Sequence, residues 1–128
     1  MGLDQYAMAA HRPIETPEDD HYTIVFTWRK HAKLQAFMEN LFFDKAEGGV
    51  HGDDVFNCNP MELDAKHIRW LRRCINASRL PDSEGGFFYG HEWQDEAAKE
   101  YREQDLQFCE WALGKIAEGH HVYYDCWW

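Results

Sequence analysis

The residues that could do chemistry in this chain fall into a few groups, and none has the spacing of a familiar site. His51, Asp53, Asp54 and Cys58 are close together, and His120, His121 and Cys126 lie near the C-terminal end. Neither group has zinc-ligand spacing, and no His-x-x-x-His pair occurs, so no metal site is expected. Of the four cysteines, Cys74 and Cys109 sit in apolar helical stripes, where a thiol acts as a small hydrophobe. Cys58 precedes a helix start that would lower its pKa, yet no histidine can be assigned to it as a base. Asp105 is the one carboxylate with a physical reason to be perturbed. It falls on the inward face of a helix and must find a donor there. The nearest cation by pattern is Arg29, which predicts a buried Arg29–Asp105 pair. No catalytic residue and no cofactor is assigned.

A second group surrounds Leu80 to Trp93. Gly85, Gly86 and Gly90 bracket Phe87, Phe88 and Tyr89. Glycine count suggests a phosphate loop, with Arg29, Lys30 and His31 supplying charge, but neither the Walker pattern nor the dinucleotide fingerprint is present. Bulky aromatics occupy the places where phosphate loops keep small residues. The segment reads better as a structural latch between two amphipathic helices. A contact surface is expected from Trp28, Arg29 and Lys30, the loop residues Gly85 to Tyr89, and Trp127 and Trp128. Arginine with aromatics is the usual composition of a binding hot spot.

The elements that must position these residues follow from periodicity. Residues 1–20 hold Pro13, Pro17, Glu15, Glu18, Asp19 and Asp20, and read as a flexible acidic arm. Tyr22 to Trp28 alternates as a strand, with Tyr22, Ile24, Phe26 and Trp28 on one face. From Arg29 the period changes, and Leu34, Phe37, Met38, Leu41 and Phe42 mark a helix that Gly48 and Gly49 follow. Asn59, Pro60 and Glu62 spell a second helix start. Its expected buried stripe is Leu63, His67, Trp70, Leu71, Cys74 and Ile75, with Lys66, Arg69 and Arg73 as a solvated basic stripe. A third helix runs from Asp95 to about Glu118 and ends at Gly119. His120 to Trp128 is rich in strand formers. The fold class is α+β: residues 21–128 form one domain, a small sheet of two to three strands packed by three helices.

Composition sets outer limits. The chain has 128 residues, 45% of them hydrophobic and 16% aromatic, ample for one core. Twenty-three acidic residues against 13 basic ones give a net charge of −10, which disfavours direct nucleic-acid and anionic-membrane binding. No apolar run approaches the ~18 residues of a membrane span. Four cysteines without a C-x-x-C pair point to reduced thiols and a cytoplasmic setting.

Several of these residues, taken in order, resemble a known group. Trp28-Arg29-Lys30 precedes Leu34 and Phe37. Leu80-Pro81 leads into Gly85-Gly86-Phe87-Phe88-Tyr89-Gly90. Asp105-Leu106 and Tyr123-Tyr124 follow, with Trp127-Trp128 last. The arrangement resembles a family of small uncharacterised proteins common in bacteriophage and prophage genomes, over roughly residues 22–128. It implies a small accessory protein acting in a bacterial cytoplasm. Some members carry the name of a glycolytic kinase, but 128 residues lack the two large nucleotide-binding domains of such an enzyme. The expected function is non-catalytic binding of a bacterial host or defence protein through an acidic and aromatic surface. The alternative is a protein that binds or sequesters a nucleotide-like anion where the first helix start meets the glycine loop. A homodimer through paired C-terminal strands is also compatible.

Overall fold

A computed structural model describes residues 2–16, 18–44, 56–83 and 91–128, with only the backbone of His91. The strands are β1 (Asp4–Ala10), β2 (Thr23–Arg29), β3 (Met61–Leu63) and β4 (His121–Trp127). The helices are α1 (Ala32–Asp44), α2 (Ala65–Asn76) and α3 (Gln94–Ala117), the last entered through a 3₁₀ turn at His91–Trp93. The fold is α+β: an antiparallel sheet of order β2-β1-β4-β3 with three helices. Four strands replace the two or three expected, because the residues read as a flexible arm supply a strand. β1 lies between β2 and β4 and pairs with both along its length.

The reason β1 fits there is steric. Ala7 pairs with Phe26 on one side and Tyr124 on the other, so a small side chain sits between two large ones. Leu3, Gln5 and Ala7 are fully buried. Asp19 accepts hydrogen bonds from the backbone N–H groups of Glu15 (2.9 Å) and Thr16 (3.2 Å). These donors, foremost that of Glu15, hold the Asp19 carboxyl below its ordinary value. The turn folds Ile14 onto the second face of the sheet, beside Met8, Ala10 and Tyr123. There the Ile14 N–H meets the Tyr123 hydroxyl at 2.9 Å.

The main core lies on the opposite face. It gathers Phe37, Met38, Leu41 and Phe42 from α1, Ile68, Leu71 and Ile75 from α2, and Phe108, Cys109 and Ala112 from α3. These pack on Trp28, Val122, Tyr124 and Cys126 of the sheet. The strict alternation expected of residues 22–28 breaks at a bulge. Ala7 pairs with Phe26 but Met8 pairs with Ile24, so Val25 is the extra residue. Phe26 and Trp28 turn to the core, while Tyr22, Ile24 and Val25 stay exposed.

The second helix begins later than the Asn59-Pro60 signal predicts. Met61 and Leu63 are buried with Glu62 half-exposed between them, a strand alternation that pairs with Tyr124 to Val122. Asp64 then caps α2, and its N–H meets His67 Nδ1 at 3.3 Å. This start rotates the helix: Ile68, Leu71 and Ile75 face in, and Trp70 is 41% exposed rather than buried. α3 closes where Gly119 predicted. Gly119 takes φ +88°, its N–H bonds to Ile116 O, and the His120 N–H bonds to Lys115 O. This is the left-handed cap that glycine fills without a Cβ penalty.

Both edges of β4 are met within the chain among the described residues. β1 lines one side and β3 the other, and beyond β3 the Cys58 N–H bonds to Cys126 O at 2.8 Å. Among the described residues no helix is long and apolar enough to cross a membrane.

Burial also sets an alkaline limit. The Cys109 thiol is pushed up to about 12 by burial, with Asp105 adding to the effect. Burial likewise raises Cys126 and lifts Tyr124 well above its ordinary value. In the unfolded chain the thiols ionise near 9.0. These groups therefore stabilise the fold fully below pH ~9 and stop doing so as pH climbs towards their folded values. Urea midpoints are expected to fall from about pH 9 upward. A midpoint flat to about pH 11 would mean that these groups are not sealed from water.

Candidate functional site

The strongest concentration of buried polar groups lies where β2 ends and α1 begins. Trp28 closes the inward face of β2. Lys30 then takes φ +55°, and its N–H bonds to Leu3 O at 2.8 Å. That left-handed residue re-aims the chain, so His31 also points inward. Arg29, between them, is exposed. The expected Arg29–Asp105 pair is therefore replaced. Asp105 Oδ2 meets His31 Nε2 at 2.7 Å, and Oδ1 accepts from Trp28 Nε1 at 2.8 Å. His31 and Asp105 are 0% and 1% exposed.

Gln5 locks this corner in place. Its Oε1 accepts from the His31 N–H at 2.9 Å, and its Nε2 donates to His31 O and to the Tyr124 hydroxyl. Tyr124 in turn donates to Gln35 Oε1 at 2.7 Å, and Gln35 Nε2 reaches Glu39 and the Cys126 sulfur. Tyr101 stacks on the His31 ring with centroids 5.3 Å apart. The Tyr101 hydroxyl accepts from the Arg29 N–H at 3.1 Å. His31 Nδ1 is the one buried side-chain nitrogen or oxygen without a partner among the described residues. With the carboxylate accepting, Nε2 carries the proton.

A histidine held by an aspartate is the base-and-orienter half of a hydrolytic triad. A general base, however, must reach the proton that it takes, and His31 is sealed in the core. The cysteines do not complete a nucleophilic site: burial raises Cys109 and Cys126, and burial also raises exposed Cys58. A helix start does not activate Cys58, because β3 intervenes before α2. Among the described residues no cluster of three or more His, Cys, Asp or Glu could hold a metal ion.

Above Asp105 a cavity of about 290 Å³ opens between the C-terminal end of α2 and the first half of α3. Ile75, Ser78, Leu80 and Ala98 give it an apolar wall with one hydroxyl, and Lys33, Lys99 and Arg102 give it cations. Lys33, from the first turn of α1, bridges Asp82 (3.1 Å) and Asp95 (2.9 Å). That contact raises the Lys33 ammonium and lowers the Asp95 carboxyl. Lys99 and Arg102 stand one turn apart on α3 and make no ion pair among the described residues.

The surface predicted from sequence is only partly assembled. Trp28 is buried at 2% exposure, so it is core and not surface. Arg29 and Lys30 are exposed but do not line the cavity. Trp127 is 59% exposed at the C-terminal end of β4, in the same row of the sheet as Asp4 and Arg29, and Trp128 is half-buried, exchanging hydrogen bonds with Asn57. Gly85, Gly86, Phe87, Phe88 and Tyr89 lie outside the described residues, as do His51, Asp53 and Asp54. Gln5, Gln35, Lys33, Lys99 and Arg102 were not singled out as a site, and His31 entered only as a charge for the phosphate-loop reading. A polar Gln35 inside the apolar run of α1 was the one available signal. Lys99 and Arg102 gave none, because a charged helix face reads as solvated.

Comparison of the chain with protein-family models, curated proteins and solved structures finds no match.

Proposed function

We propose that this chain is a small accessory protein that works by binding, and that its ligand is a small anion carrying an apolar body. The supporting observation is the cavity, in which apolar walls face two cations that have no ion-pair partner among the described residues. Its other charges are committed: Asp95 to Lys33, and Asp105 to His31 and Trp28. An anionic headgroup would meet Lys99 and Arg102 while Ile75, Leu80 and Ala98 cover the apolar part. Among the described residues no aromatic ring lines the cavity, and Tyr101 stacks on His31. A carboxylate or a phosphate ester on a compact apolar frame fits better than a nucleotide.

A thermal-shift series with inorganic phosphate, nucleoside monophosphates and aryl carboxylates tests this. A ligand at 100-fold excess over its Kd stabilises the fold by about 2.7 kcal/mol. Its shift is expected to vanish in a Lys99→Ala/Arg102→Ala variant. A flat series, or a shift that survives in the double variant, removes the reading. The second reading, binding of a bacterial host or defence protein, is favoured by the exposed outer face of α2.

A further inference from the structure

Charge is distributed unevenly along this chain. Residues 65–81 carry five of its 13 lysines and arginines, and none of its 23 acidic residues. The five are Lys66, Arg69, Arg72, Arg73 and Arg79, set in a protein of net charge −10. Arg72 pairs with Glu110 of α3 at 3.5 Å. Lys66, Arg69 and Arg73 are exposed and make no ion pair among the described residues. Spaced i, i+3 and i+7, they form one stripe about 10 Å long on the outer side of α2. Trp70 stands inside that stripe, 41% exposed, its ring propped against Phe37 of α1 at 4.9 Å.

Two features separate this stripe from an ordinary solvated face. Clustered like charges repel, and here no acidic neighbour on α2 relieves them. A tryptophan among arginines also offers a rigid apolar platform with directional donors around it, which is hot-spot composition. α3 brings Glu110 up beside Arg72, so the cationic strip is short and borders an acid. A long polyanion places a charge every ~1.7 Å and would overrun the strip onto that acidic surface. A single helix with carboxylates at the same spacing would not.

We propose that the outer face of α2 docks an acidic amphipathic helix of another protein. Its carboxylates pair with Lys66, Arg69 and Arg73, and an apolar side chain rests on Trp70. Complementarity of charge sets the choice of partner: the partner segment is acidic although the chain itself is acidic. This docking is independent of the cavity beside α3.

Fluorescence anisotropy with the intact protein tests it. The probe is a labelled synthetic helical peptide with glutamates at i, i+3 and i+7 around one leucine. Saturable binding is expected, weakening as salt rises. An Arg69→Glu/Arg73→Glu variant is expected to bind at least about tenfold more weakly, and Trp70→Ala to weaken binding as well. Arg102→Ala, at the cavity, is expected to leave it unchanged. All four positions are exposed, and unaltered melting of each variant confirms its fold. The proposal is overturned if the peptide does not bind, if its glutamine counterpart binds equally, or if the charge-reversed variant retains affinity. It is also overturned if an oligothymidylate displaces the peptide at lower concentration, which would assign the stripe to single-stranded nucleic acid.

Discussion

A chain that begins at residue 21 is expected not to fold. Removing residues 1–20 takes out β1, the strand that joins β2 to the rest of the sheet. β2 then loses its one strand partner among the described residues, and one edge of β4 opens. Leu3 and Ala7 leave the main core, and Met8, Ala10 and Ile14 leave the second face. Burying a Leu, Ile or Met side chain contributes about 1.5–3 kcal/mol. Three such side chains are therefore comparable with a typical total stability of about 5–15 kcal/mol, before any ladder hydrogen bond is counted. Gln5 adds a further loss. Without it the His31 N–H and O and the Tyr124 hydroxyl lose their fixed partner, at about 1–3 kcal/mol for each buried group left unsatisfied. Far-UV circular dichroism and thermal melting of residues 21–128 check this. A cooperative transition in the truncated chain would mean that β1 is an accessory strand. Adding a synthetic peptide of residues 1–20 is expected to restore the transition, because β1 pairs with β2 and β4, both within residues 21–128.

The N-terminal segment escaped notice in the sequence for a physical reason. Asp4-Gln5-Tyr6-Ala7-Met8-Ala9-Ala10 contains one strong strand former, Tyr6. Its strand state comes from neighbours distant in sequence, since Ala7 is the size that fits between Phe26 and Tyr124. The helices were legible, because their apolar periods are long and their stops are chemical. Gly119 ends α3, and Leu34 to Phe42 marks the buried side of α1. The start of α2 was misplaced because Asn59-Pro60 makes a valid cap pattern, while three residues of pairing with β4 outweigh it. Trp70 and Ile24 were assigned to the wrong sides for related reasons: a shifted helix start rotates one, and a bulge at Val25 flips the other.

Asp105 shows how far such reasoning reaches. Its inward position followed from the period of α3. Its partner did not, because the choice between Arg29 and His31 turns on one left-handed residue, Lys30. Alternation alone places Arg29 opposite to Trp28, and only the turn at Lys30 brings His31 back to the same side. The cavity was less legible still, since its lining comes from three helices and the turn after α2, and its cations on α1 and α3 look like surface charges.

Asp105→Ala is expected to destabilise the protein by about 2–6 kcal/mol, at about 1–3 kcal/mol for each of two buried donors left unsatisfied. The substitution leaves Trp28 Nε1 without an acceptor and His31 with two unpartnered nitrogens, all in the core. Asp105→Asn is expected to cost less, about 1–2 kcal/mol. The amide oxygen still accepts from Trp28. Its NH₂ group then faces His31 Nε2, which must become an acceptor. His31 meets that demand by moving its proton to Nδ1. Nδ1 has no partner in either tautomer, so no hydrogen bond is lost there. His31→Ala, in contrast, leaves the carboxylate with Trp28 alone and is expected to cost about as much as Asp105→Ala. The two alanine substitutions share one interaction, so the double variant is expected to cost about 1–3 kcal/mol less than their sum. Urea unfolding near neutral pH measures all four proteins. If Asp105→Asn were as damaging as Asp105→Ala, the free tautomer would not be available. If Asp105→Ala cost under about 1 kcal/mol, water would be reaching the corner that Gln5, Trp28 and Tyr101 enclose.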